Sequence, residues 1–135
     1  MKLRGLDRDN DTRRAIAQAY DRALEKSPIA APTVPNNVTH VYHQYVVKSA
    51  DRDRLARHLR SRSISTAIHY PVPVHRQPAY RGAKAVAQTQ LPMTEQLSRQ
   101  ILSLPMYPQM TAAQVEQVAD ALTSFGGGGS RAGHV

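Results

Sequence analysis

Residues 68–80, IHYPVPVHRQPAY, place His69, Tyr70, His75, Gln77 and Tyr80 among three prolines. Each proline fixes φ and removes an amide donor, so Pro71, Pro73 and Pro78 exclude both a helix interior and a central strand. The stretch reads as a rigid extended loop carrying hydrogen-bonding rings. A ring that is already positioned loses little entropy on binding, which suits such a loop to the rim of a ligand site. His69 and Tyr70 could donate to or accept from a ligand, with His75 and Gln77 beside them. The plainer use of either histidine is a satisfied structural hydrogen bond at a strand end or turn.

Other chemistries are harder to assemble. His40, His43, His69 and His75 lie close in sequence, and neutral imidazole is a common metal ligand. If residues 40–47 form a strand, however, His40 and His43 point to opposite faces. No carboxylate lies between Asp53 and Glu95 to complete a ligand set or to orient a catalytic base. No metal site and no catalytic residue is expected from this chain. The absence of cysteine removes disulfides, thiolate sites and cysteine nucleophiles, and suits a reducing compartment such as the cytoplasm.

The elements that must hold the loop can be read from periodicity. Residues 6–26 have Ile16, Tyr20 and Leu24 at helical spacing, with acids early and Lys26 late. Arg13 and Arg14 in that helix suit surface ion pairs with Asp9, Asp11 or Asp21. SPIAAPTVPNN is an extended connector, and HVYHQYVV at 40–47 reads as a strand whose Tyr42 and Tyr45 pack in the core. Residues 51–62 return to helical spacing through Leu55 and Leu59, Ser63 is a turn residue, and ISTAIH reads as a second strand. After the proline loop, RGAKAVAQTQ is a surface segment. A helix follows from about Pro92 to Leu102, then SLPMYP as a short extended piece. The final helix opens with Thr111 and Gln114 at capping-box spacing and carries Val115, Val118, Ala119 and Leu122 on one face. The tail GGGGSRAGHV is expected to be disordered, leaving residues 1–125 as one domain.

Composition sets the outer limits. A chain of 135 residues with six tyrosines and one phenylalanine must build its core mostly from Leu, Ile, Val and Ala. No run approaches the roughly 20 apolar residues that cross a bilayer, and MKLRGLDRDND lacks the apolar centre of a signal peptide. The net charge is +8, and residues 48–62 concentrate six Lys/Arg against two Asp. Those arginines spread around a helix without interleaved aromatics, so a solvated face is a better reading than a nucleic-acid surface. Strands alternating with helices give an α+β fold, an α/β sandwich in which a small sheet of about three strands is covered by helices on one face.

The order of motifs resembles the C-terminal part of the pyridoxal-phosphate-dependent sugar aminotransferases, the DegT/DnrJ/EryC/StrS group, from about residue 6 to residue 122. The segments that carry the likeness are LDRDNDTRRAIAQAYDRAL, HVYHQYVV, IHYPVPVHRQPAY and ILSLPMYP, followed by the capped helix. The resemblance implies the small C-terminal domain of a fold-type I aminotransferase, beside a larger cofactor-bearing domain, in a homodimer with active sites near the subunit interface. It implies amino transfer, usually from glutamate, to a keto sugar carried on a nucleotide. It places the proline loop beside the active site, with His69 and Tyr70 closest to sugar or cofactor and His75 and Gln77 next. The Schiff-base lysine, the acidic partner of the pyridine nitrogen and the phosphate-binding residues would belong to the large domain. Lys2, Lys26, Lys48 and Lys84 have no context resembling the Schiff-base segment. The chain alone is therefore expected to hold no pyridoxal phosphate and to lack transaminase activity. Other readings are a non-catalytic assembly module of a full-length paralogue or a basic nucleic-acid-binding domain. A final departure is Ser63, where relatives commonly carry glycine; a positive φ there would cost serine about 1 kcal/mol.

Overall fold

The computed structural model describes residues 2–80 and 90–125, so the expected tail at 126–135 and most of the expected surface segment at 81–90 lie outside the described residues. Helix α1 spans Leu6–Leu24 and helix α4 Ala112–Phe125, and the two pack side by side. Between them in sequence come β1 (Tyr45–Lys48), α2 (Arg52–Arg60), α3 (Pro92–Gln100) and β2 (Ile101–Leu104). Most of the periodic apolar positions are buried, Ile16, Tyr20 and Leu24 from α1, Leu55 and Leu59 from α2, Val118 and Leu122 from α4, whereas Val115 and Ala119 of α4 are half-buried and Ala121 and Phe125 are buried beside them. Helix α2 packs on α4 and β2.

Strands β1 and β2 pair antiparallel, with Tyr45 opposite Leu104 and Val47 opposite Leu102. Those four side chains are buried in the core. The alternate pairs, Val46 with Ser103 and Lys48 with Ile101, point to the other face because strand side chains alternate. Single bridges extend both edges, Ala30 to Lys48 and Ala67 to Ser103. The tyrosines of the core are each tied by their hydroxyls: Tyr20 donates to the Pro105 carbonyl at 2.9 Å and Tyr45 to Asp21 Oδ1 at 2.5 Å. Burial raises both phenols, and at Tyr45 the Asp21 carboxylate raises it further.

Three expected elements are corrected. The strand expected at 40–47 begins only at Tyr45, because Tyr42 adopts φ 47 and donates its amide to His40 Nδ1 at 3.1 Å, a local turn incompatible with a strand. His40 and His43 are exposed loop residues, so strand alternation does not set their directions. ISTAIH is not a regular strand, since only Ala67 is bridged. The helix expected to reach Leu102 stops at Gln100, and Ile101–Leu104 becomes β2 because its backbone satisfies β1 and Ala67 on two sides. Regular pairing therefore gives two strands with a bridged residue at each edge, where about three strands were expected.

Helix ends follow local chemistry. Thr111 and Gln114 form a reciprocal capping box, with the Thr111 amide donating to Gln114 Oε1 at 2.9 Å and the Gln114 amide to Thr111 Oγ1 at 3.2 Å. After α2, Ser63 sits at φ 60 while its amide donates to Arg60 and that of Ile64 to Leu59. This is a Schellman ending, with buried Ile64 against buried Leu59 as its apolar contact. Of the basic cluster, Arg52 is drawn inward, Arg54 lies over the Phe125 ring at 4.8 Å and Arg62 donates to His58 Nδ1 at 3.0 Å. Arg14 pairs with Asp11 as expected, whereas Arg13 donates to Asn10.

Candidate functional site

The outward face of the sheet positions the loop. Ala67 and Ser103 exchange two backbone hydrogen bonds of 2.8 and 3.2 Å, so residue 69, two positions on, emerges on the same face as Ser103. There His69 Nδ1 lies 2.9 Å from Ser103 Oγ, and Ser103 is only 6% exposed. The imidazole is thus fixed through Nδ1, which leaves Nε2 on the ring's far side. Ile68, pointing the opposite way, packs on the core. The His69–Tyr70 peptide is cis. The Tyr70 ring stands perpendicular to that of His69, 5.7 Å away, and is 67% exposed. Below the two rings runs a groove of about 240 Å³ whose walls are Val72, Val74, Leu97 and Ile101.

His75 and Gln77 take different places. His75 Nε2 lies 3.0 Å from Glu95 Oε1, and the same oxygen accepts from Arg76 Nε at 3.1 Å and Nη2 at 2.9 Å. The His75 side chain is 7% exposed, so it faces α3 and pins the loop to it. The second half of the loop is not extended as expected: Gln77 joins two short 3-10 turns, Val74–Arg76 and Pro78–Tyr80, through its backbone, its amide donating to Val74 and its carbonyl accepting from Tyr80. His69 and Tyr70 are together; His75 and Gln77 lie further along the loop as its fastening.

Glu95 supplies the carboxylate that the sequence seemed to deny this loop. Its hydrogen bonds to His75 and then Arg76 hold its carboxyl below the usual carboxylate range. A signal was available: Glu95 is the sole acid between Asp53 and Glu116, in a strongly basic stretch. Helix α3, which carries Glu95, is itself secured by Arg52, whose Nη1 donates to the carbonyls of Ser98 at 3.2 Å and Ile101 at 3.4 Å. Those carbonyls are among the acceptors a helix end leaves without intrahelical partners.

The groove does not suit pyridoxal phosphate. A covalently held cofactor requires an amine, an anion-binding cradle and an acid for the ring nitrogen. The residues lining the groove include no lysine, arginine or carboxylate, and Lys26 and Lys48 are exposed elsewhere. Among the described residues no group of three or more His, Cys, Asp or Glu could hold a metal ion.

Fold and site together define a class: a small α+β lobe that presents a rim of rings and an apolar groove. Comparison with known proteins supplies the family. The profile of the DegT/DnrJ/EryC1/StrS aminotransferase family matches residues 1–123. The chain is 37% identical over 126 residues to a dTDP-3-amino-3,6-dideoxy-alpha-D-galactopyranose transaminase of Aneurinibacillus thermoaerophilus, covering 93% of this chain and 34% of that protein. It is 40% identical to a dTDP-3-amino-3,4,6-trideoxy-alpha-D-glucose transaminase of Streptomyces venezuelae, covering 93% and 33%. The crystal structure of S. venezuelae DesV superposes with a TM-score of 0.87 at 39% identity, covering 93% of this chain and 34% of that one. The chain belongs to the DegT/DnrJ/EryC1/StrS aminotransferase family. It spans about a third of the length of these relatives.

Proposed function

We propose that this chain is the C-terminal part of a pyridoxal-phosphate-dependent nucleotide-sugar aminotransferase, with residues 1–125 packing beside a cofactor-bearing domain in a homodimer. The observation that carries this reading is the match of 93% of the chain to one third of two sugar transaminases. When bound, the cofactor supplies the carrier of the amino group, which passes from glutamate to a keto sugar. This chain's residues do other work. His69 and Tyr70 contact the sugar, and the Glu95 clasp on His75 and Arg76, with the backbone hydrogen bonds of Gln77, keeps the loop from swinging. The exposed apolar side chains Tyr70, Val72, Val74 and Met93 become covered by the cofactor domain. Alone, the chain transfers no amino group.

The test mixes the purified chain with a separately expressed cofactor domain of a relative, adds pyridoxal phosphate, desalts, and measures cofactor absorbance and amino transfer from glutamate to a nucleotide keto sugar. Cofactor retention and transfer in the mixture, with neither in the chain alone, is the expected result. Cofactor retained by the chain alone contradicts the division of labour. Failure of mixtures with several relatives' domains leaves the non-catalytic assembly module as the better reading.

A further inference from the structure

Ser103 carries a hydroxyl whose proton has one place to go. The residue is only 6% exposed and stands on the outward face of the sheet, opposite Val46 across the ladder. Its backbone amide and carbonyl are both engaged with Ala67, at 2.8 and 3.2 Å. Among the described residues the sole hydrogen-bonding partner of Ser103 Oγ is His69 Nδ1, at 2.9 Å. A hydroxyl can donate or accept, whereas a neutral imidazole has one nitrogen that donates and one that accepts. Were Nδ1 the donor, the hydroxyl would accept that proton and leave its own unpaired, at the full cost of its desolvation. With the hydroxyl donating, both groups are satisfied. His75 is the contrasting case: its Nε2 meets the acceptor-only carboxylate of Glu95, so there the ring donates.

We propose that Ser103 is a positioning residue that fixes His69 as the tautomer protonated on Nε2. The ring then offers a hydrogen-bond donor, and the atom it meets must be an acceptor, such as a carbonyl, carboxylate or phosphoryl oxygen. In that form Nε2 has no free lone pair, so it neither takes up a proton nor ligates a metal ion. Ser103 thereby selects one of the two chemistries open to His69. Within the amino-transfer reading His69 acts as a donor and not as a base. The tautomer itself belongs to the isolated chain and stands without that reading.

The test is made on the purified chain at a pH where imidazole is neutral, by long-range proton–nitrogen correlation of the His69 ring. In the wild type Nε2 should give a pyrrole-type signal and Nδ1 a pyridine-type one. Ser103→Ala should move both toward the averaged positions of a free imidazole. Diethyl pyrocarbonate acylates the unprotonated ring nitrogen, which Ser103 holds in the wild type. Ser103→Ala should therefore raise the rate of His69 modification about three- to tenfold, the effect of losing one hydrogen bond, while exposed His43 reacts at an unchanged rate. Ser103→Thr keeps the hydroxyl and should return both readouts to wild-type values. Slow amide exchange at residues 67 and 103 in each variant shows the bridged pair intact, so the readouts report the tautomer and not unfolding. A pyridine-type Nε2 in the wild type, or a Ser103→Ala chain that matches wild type in both readouts, overturns the proposal. If Ser103→Ala does not fold, the wild-type and Ser103→Thr spectra still decide it. Failure of every mixture to transfer an amino group sinks the aminotransferase reading and leaves the tautomer untouched.

Discussion

Ser63 at φ 60 pays the steric cost of a side chain in a conformation that glycine adopts freely. Because the Schellman hydrogen bonds are already in place, Ser63→Gly should stabilise the chain by about 0.5–1 kcal/mol, read as a higher urea midpoint with unchanged slope. Glu95 makes a prediction about pH. Its folded-state carboxyl is held below its unfolded value, so its contribution is present above the unfolded pKa and lost as pH falls through the folded one. Amide exchange in residues 74–80 should therefore be slower in wild type than in Glu95→Gln near neutrality. The two should converge in acid, and a difference that persists there would show the clasp to be unimportant. Sequence could nominate His69, Tyr70, His75 and Gln77 by type. It could not divide them into groove-lining rings and fastenings, because that division depends on Ser103 and Glu95, 34 and 20 residues away from the histidines they meet.

At the scale of elements, the most legible features were those whose physics is local. The capping box at Thr111 needs only a four-residue spacing, and it is present. Thr111→Ala should cost about 1 kcal/mol in a urea melt while Thr111→Ser retains most of that stability. Non-local features were misjudged. Residues 101–104 carry helix-compatible Ile and Leu, and pairing with Tyr45–Lys48 overrides that propensity. Arg52 appeared as one charge in a basic run, yet its side chain is 12% exposed and bridges α2 to the end of α3. Arg52→Met keeps the apolar stem and removes the donors, so it should cost about 1–2 kcal/mol and should accelerate exchange at Ser98–Ile101.

For the whole molecule, the question is what covers the loop. Tyr70, 67% exposed, and Val74, 60% exposed, line one groove, and Met93, 66% exposed, precedes Thr94 of its lining on α3. Isolated monomers seldom leave such a patch uncovered. The chain by itself should self-associate with concentration in sedimentation experiments, and Val74→Asp with Met93→Glu should return it to monomer without lowering its urea midpoint. A wild-type chain that stays monomeric at high concentration would count against a large missing partner surface. No described helix is long and apolar enough to cross a membrane.

The sequence by itself determined the helices, the capped start of α4 and the family, because turn chemistry, periodicity and motif order are properties of neighbouring residues. Tertiary structure alone decided which residues 101–104 pair with, which histidine faces the groove, and that a lone glutamate answers His75 and Arg76. Those outcomes depend on which backbone groups find partners across the sheet and which charges meet after folding, and chain separation hides both.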